Sequence, residues 1–220
     1  MSGPAAYALF QILAFAVAVT LRRPSPLSRG QRAAVVAGAI LGAALGAKLP
    51  FVIFAGESPF TLDIWIRDGK TLLSGLAGGY LGVEVAKLIA GIRAKTGDGF
   101  AVPLAAAVGV GRIGCYFNGC CTAPGLAVPL WESAFHILMA VGLWRLEQTG
   151  RFRWQLLKLY LIAYAAFRFV VEFVRTEPRI WGGFTAYQFG AAGLAILMMV
   201  LWIKDEHLKR TLPIEDAVRA

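Results

Sequence analysis

The 220 residues are 58% hydrophobic and 16% charged, with a formal net charge of +9. A soluble domain is typically about 45–50% apolar and about 25% charged, so the long apolar runs exclude an ordinary soluble globule and leave no stretch for a soluble domain of useful size. The positive charges lie in short loops between those runs, which fits the positive-inside bias and anionic lipid rather than nucleic acid.

In chain order the runs predict an all-α polytopic membrane protein, one integral-membrane domain over 1–220 with about seven transmembrane helices. The first span, 5–21, has no basic residues before it and several after it, so it reads as a retained span with its N-terminus outside rather than a signal peptide. Arg22, Arg23, Arg29 and Arg32 follow, and then the glycine- and alanine-rich second span, 33–55, with Lys48 inside it. A polar loop holds Pro59 and the interfacial candidates Phe60 and Trp65. The third span, 71–92, carries SGLAGGYLG. There Gly75 and Gly78 either let another helix approach or let a lipid head group in. Glu84 and Lys87, at i and i+3, read as a structural pair. The fourth span is 100–117, the fifth 128–144, the sixth 156–174 and the seventh 184–203, followed by a polar tail. With the N-terminus outside and the C-terminus inside, thirteen Lys and Arg fall on the inner side and five on the outer, which supports that orientation.

The fourth span ends in Gly109–Pro124, GVGRIGCYFNGCCTAP, which holds every cysteine of the chain. Arg112 is the informative residue. An arginine at membrane depth costs about 2.5–3.5 kcal/mol on insertion scales, so it needs a partner or an anionic ligand. Gly109, Gly111, Gly114 and Gly119 permit close approach of backbone or head group. Cys115, Cys120 and Cys121 are spaced C-x4-C-C, unlike the paired C-x2-C of structural zinc sites. Three readings stay open for them: small buried apolar residues, a disulfide outside the membrane, or reactive thiols. No metal site and no cofactor is expected.

Two more polar constellations lie inside later spans. Arg168, Glu172 and Arg175 share one helix face at i, i+4 and i+7. They either neutralise one another locally or join Arg112 to leave net positive charge, which would suit a phospholipid phosphate. Glu132 and His136 are also one turn apart. The carboxylate then either orients the imidazole as a base, or the histidine makes a plain helix–helix hydrogen bond.

These motifs resemble the prolipoprotein diacylglyceryl transferase family. The resemblance rests on GRIGCYFNGCC (111–121), the LWES after Pro129, RFVVEFVR (168–175), SGLAGG in the third span and the Thr185–Gln188 start of the last span. It implies a multi-pass protein of the bacterial inner membrane. The implied reaction moves the diacylglyceryl group of phosphatidylglycerol onto the lipobox cysteine of a secreted precursor. Arg112 matches the family's motif arginine, Asn118 and Gly119 its asparagine–glycine, Arg168 and Glu172 its late arginine and glutamate, and Glu132 the glutamate of its PxxLYE-like segment. The resemblance thus implies phospholipid contacts at Gly75, Gly78, Gly111, Arg112, Asn118, Gly119, Arg168 and Arg175. Its candidate catalytic residues are Arg112, Arg168, Glu172, Glu132 and His136. There are departures. Leu73 or Ser74 stands where the family has a histidine, Cys115 where its motif has a further asparagine, and Cys120 where it has an acid. Two other functions remain open on the same scaffold: a phospholipid-binding protein without catalysis, and a thiol-redox or metal-handling protein using the three cysteines.

Overall fold

The computed structural model describes residues 3–54, 65, 69, 71–119 and 126–211. Helices dominate it: α1 (Gly3–Thr20), α2 (Arg29–Phe54), α3 (Leu72–Ile89), α4 (Gly97–Phe117), α5 (Val128–Gln148), α6 (Leu156–Val171) and α7 (Ala186–Thr211). A 3-10 turn, Glu172–Val174, extends α6, and a two-stranded hairpin of β1 (Arg179–Trp181) and β2 (Phe184–Thr185) leads into α7. The protein is therefore an all-α polytopic membrane protein. Of these helices α1, α2, α3, α4 and α7 are long and apolar enough to cross a membrane. The expected fifth and sixth spans do form helices, but α6 has only 16 residues and both carry charge inward. The burial pattern is inverted relative to a soluble protein. Leu88 and Ile89 are 83% and 82% exposed, whereas Glu132, His136, Gln155, Glu172, Thr185 and Gln188 are fully buried.

The described chain divides into two compact units, Ser25–Ala94 and the remainder. In the first, α2 packs antiparallel on α3 through glycine. A Cβ added to Gly38 would lie 2.5 Å from the Gly82 carbonyl oxygen, one on Gly42 2.9 Å from Gly82 Cα, and one on Gly46 2.8 Å from Gly78 Cα. A Cβ on Gly78 would lie 2.8 Å from the Gly46 Cα in return, and one on Gly75 3.3 Å from the Ala47 Cβ. Backbones meet at every fourth residue, so dispersion between main chains replaces side-chain interdigitation. Ser28 opens α2 with a reciprocal cap: Gln31 N–H donates to Ser28 Oγ at 3.3 Å and Ser28 N–H to Gln31 Oε1 at 3.1 Å. Thr71 caps α3 by accepting the Ser74 N–H.

In the second unit α4 is the central helix, touching α1, α5 and α6. Its glycines again set the spacing. A Cβ on Gly114 would lie 2.9 Å from the Phe10 Cβ, and one on Gly109 2.9 Å from Ile137 Cγ1. Gly111 faces Gln11 and Ala14 of α1, and Gln11 donates to its carbonyl at 3.4 Å. At the start of α6, Phe152 and Trp154 adopt positive φ, 57° and 69°. The Asp98 carboxylate holds this turn by accepting the N–H of Trp154 at 2.5 Å and of Leu156 at 2.9 Å. Close by, Lys158 donates to Asp205 at 2.7 Å, to the Trp154 carbonyl at 2.8 Å and to Gln155 at 3.0 Å.

Gly42→Leu is expected to destabilise the purified protein by about 1–3 kcal/mol or more, since overpacking a backbone contact forces the helices apart. Gly193→Ala, with no atom within 4 Å of the new Cβ, should leave stability unchanged or slightly raised. Thermal midpoints in detergent check both.

Candidate active site

The site is built from the inner faces of α4, α5 and α6 and the start of α7. Glu132, in the first turns of α5, is fully buried and lies between two guanidinium groups. Arg112 Nη2 meets Glu132 Oε2, and Arg168 Nη1 donates to Oε1 at 3.3 Å. One carboxylate thus ties α4, α5 and α6 together. Arg168 continues the chain of charges, its Nη2 lying 3.1 Å from Glu172 Oε2. Arg175 Nε approaches the same oxygen at 3.5 Å, and its Nη2 pairs with Glu177 at 2.8 Å. The Arg168 guanidinium also stacks over the Tyr187 ring, 5.4 Å from its centre.

Arg112, Arg168 and Arg175 do join one cluster. The cluster also takes in a second buried carboxylate, Glu132, which the stripe on α6 does not reveal, so the three arginines face two buried glutamates with Glu177 at the rim. Of the two arrangements open for Glu132 and His136, the structure has the helix–helix hydrogen bond. The carboxylate is taken by the arginines, and His136 Nδ1 lies 2.8 Å from the Tyr160 hydroxyl instead. Its Nε2 is buried without a hydrogen-bond partner among the described residues. The Tyr164 ring covers the imidazole at 4.8 Å between centres. The reason is register. Glu132 and His136 on α5 run antiparallel to Tyr160, Tyr164 and Arg168 on α6, each one turn apart, so acid meets arginine and imidazole meets phenol.

Other expected residues fall as follows. Gly111 packs toward α1, and Gly75 and Gly78 toward α2. Asn118 is the exposed C-cap of α4, and Gly119, at φ 68°, is the left-handed residue that ends the helix. Buried Cys115 lies beside the cluster, with Arg112 Nη1 3.8 Å from its sulfur. Cys120 and Cys121 lie outside the described residues, as does the loop carrying Phe60. Among the described residues no group of His, Cys, Asp and Glu is placed to hold a metal.

A family model described as prolipoprotein diacylglyceryl transferase matches residues 5–204. The chain belongs to that family. Relatives named phosphatidylglycerol–prolipoprotein diacylglyceryl transferase include one from Chromohalobacter salexigens, 29% identical over 80% of this chain and 76% of its own length. One from Oleidesulfovibrio alaskensis is 30% identical over 89% and 84%. One from Nitratidesulfovibrio vulgaris is 29% identical over 74% and 73%. No solved structure matches the chain. Within this diacylglyceryl transferase homologue the family-like RFVVEFVR and LWES segments meet through Arg168 and Glu132.

Tyr160, Tyr164 and Ser133 are site neighbours that sequence reasoning passed over. Ser133 donates to the Gly109 carbonyl at 2.7 Å and so fixes α5 on the motif helix. The four-residue spacing Tyr160, Tyr164, Arg168, Glu172 was the available signal.

Glu132→Ala should cost about 3–5 kcal/mol, because it removes a buried carboxylate that two guanidinium groups share in the interior. Glu132→Gln, which keeps an acceptor, should cost less. Denaturant or thermal unfolding in detergent reads the difference.

Proposed function

We propose that this protein transfers the diacylglyceryl group of phosphatidylglycerol to the cysteine thiol of a prolipoprotein lipobox, at the outer face of the bacterial inner membrane. The observation that carries the reading is the gathering of Arg112, Arg168 and Arg175 around two buried carboxylates in family-like motifs. The orientation with the N-terminus outside, supported by the placement of Lys and Arg, puts that cluster toward the outer leaflet.

In this mechanism the precursor's sulfur forms a bond to the glycerol carbon bearing the phosphate. The carbon–oxygen bond breaks, and its electron pair leaves with glycerol 1-phosphate. Arg112 and Arg168 hold the phosphate and offset the charge that builds on its leaving oxygen. Their charge is fixed before the reaction, so no reorganisation is needed as the bond breaks. The thiol itself is mostly protonated at neutral pH, with an ordinary pKa of about 8.5, and a nearby guanidinium favours its thiolate. Its proton passes through Glu172 and ends on the released phosphate, which balances the charge. His136 suits this duty less, because its Nδ1 is engaged by the Tyr160 hydroxyl and the Tyr164 ring covers the imidazole. Glu132 holds the two arginines at the separation the phosphate needs. Asn118 and Gly119 add polar groups at the exposed end of α4 for the glycerol head.

The test is transfer to a fluorescent lipobox peptide in vesicles containing phosphatidylglycerol. Arg112→Ala and Arg168→Ala should each lower turnover by about 100-fold or more. Glu172→Ala should abolish it, and His136→Gln should stay within about fivefold of the parent. Loss in the histidine variant with turnover retained in Glu172→Ala would reverse the assignment of the base. Complementation of a strain depleted of its own transferase gives the same ranking in cells.

A further inference from the structure

Thr185 and Gln188 form a reciprocal cap at the start of α7. Thr185 N–H donates to Gln188 Oε1 at 2.9 Å, and Gln188 N–H donates to Thr185 Oγ1 at 3.3 Å. The spacing T-x-x-Q is an ordinary helix start. What surrounds it is not ordinary. Both side chains are fully buried, and each makes a second bond back to the end of α6. Thr185 Oγ1 donates to Glu172 Oε1 at 3.2 Å, and Gln188 Nε2 donates to the Phe169 carbonyl at 3.3 Å. That carbonyl belongs to the last turn of α6, whose acceptors lack partners within the helix. The hairpin supplies the placement. Gly182 and Gly183 turn the chain with φ of 56° and 79°, and Arg179, paired with Thr185 across the strands, donates to the Phe173 and Gly183 carbonyls.

A hydroxyl has one proton. In Thr185 the oxygen accepts from the Gln188 N–H, so its own proton is left for Glu172. Oε1 of Glu172 is therefore taken by a neutral donor, while Arg168 and Arg175 share Oε2. Without the hydroxyl, the carboxylate would be free to turn and offer one oxygen to each arginine. Each guanidinium would then be neutralised more fully and hold a lipid phosphate less well.

We propose that Thr185 and Gln188 are positioning residues of the transfer reaction: their cap aims one hydroxyl proton at Glu172 and confines Arg168 and Arg175 to its other oxygen. This rests on the reaction proposed above. Helix capping is half of their work, and control of Glu172 is the other half.

The experiment is a double-mutant cycle on the full-length protein in phosphatidylglycerol vesicles with the lipobox peptide. Thr185→Val, nearly isosteric but without the hydroxyl, should lower kcat tenfold or more and shift the KM for lipid less than kcat. Thr185→Ser should recover most of the loss. Ser28→Ala removes the matching cap of α2 and, with Thr185→Val brought to equal stability by temperature, should leave kcat alone. Any residual turnover in Glu172→Gln should fall no further when Thr185→Val is added. A Thr185→Val enzyme with parental kcat, or equal losses in both backgrounds, overturns the proposal. A second readout separates this from the transferase reading. The carboxylate stretch of Glu172, seen by infrared difference between Thr185→Val and parent, should shift and should vanish in the Glu172→Gln background. A parent that binds phosphatidylglycerol but never modifies the peptide counts against the transferase reading alone. The infrared band then decides the positioning role, and its absence overturns it.

Discussion

One carboxylate holds the second unit of this protein together. Glu132 lies fully buried between Arg112 and Arg168, so three consecutive helices share a single anionic centre. The arrangement explains why α5 and α6 need not be apolar enough to cross a membrane by composition. Their polar groups face one another across an antiparallel seam, and their outer faces keep Leu138 and Val170 exposed for lipid. Pairing such charges rarely gains much over a well-packed apolar seam, because desolvation offsets most of the attraction. The gain is in placement: two guanidinium groups are fixed where an unpaired arginine would snorkel to the surface.

Glycine does the complementary work. Between α2 and α3 it removes side chains altogether, so that backbones touch at Gly38, Gly42, Gly46, Gly78 and Gly82. In the motif helix the same device has a second use. Gly111 and Gly114 let α1 close on one side and Gly109 lets α5 close on the other, so the neighbours pack around Arg112 without a side chain to hold them off. The Ser133 hydroxyl then bonds the Gly109 carbonyl. The glycines thus let the neighbouring helices close around the arginine.

Much of this was legible from the chain. The apolar runs gave the helices, since length and hydropathy alone decide which segments can bury in lipid. The stripe Arg168, Glu172, Arg175 was legible because helical periodicity puts it on one face. The partner of His136 was not, because a histidine one turn from a glutamate says nothing about which neighbouring helix reaches either group first. Register between α5 and α6 assigned the phenol of Tyr160 to the imidazole and the arginines to the acid. The hairpin before α7 had a signal in Gly182–Gly183, the pair favoured where both turn residues take positive φ. Helix starts were readable in the same way, in S-x-x-Q at Ser28 and T-x-x-Q at Thr185. That the second of these caps also grips Glu172 needed the third dimension.

Two of the departures from the family pattern leave the ties of this centre in place. The positions expected to carry a histidine hold a buried Leu73 and a Ser74 whose N–H completes the Thr71 cap, so helix-starting chemistry occupies that stretch. Cys115, in place of an asparagine, keeps a polarisable atom near Arg112 but removes an amide donor that a head group could use. Neither change touches the ties among Arg112, Glu132, Arg168 and Glu172. A reaction that depends on electrostatic stabilisation of a departing phosphate can tolerate the loss of one side-chain donor better than the loss of that field. The remaining demand is for a proton acceptor, and the cluster itself holds two fully buried carboxylates, Glu132 and Glu172. On Glu172, Arg168 and Arg175 share one oxygen while the Thr185 hydroxyl donates to the other, whereas each oxygen of Glu132 meets a guanidinium of its own.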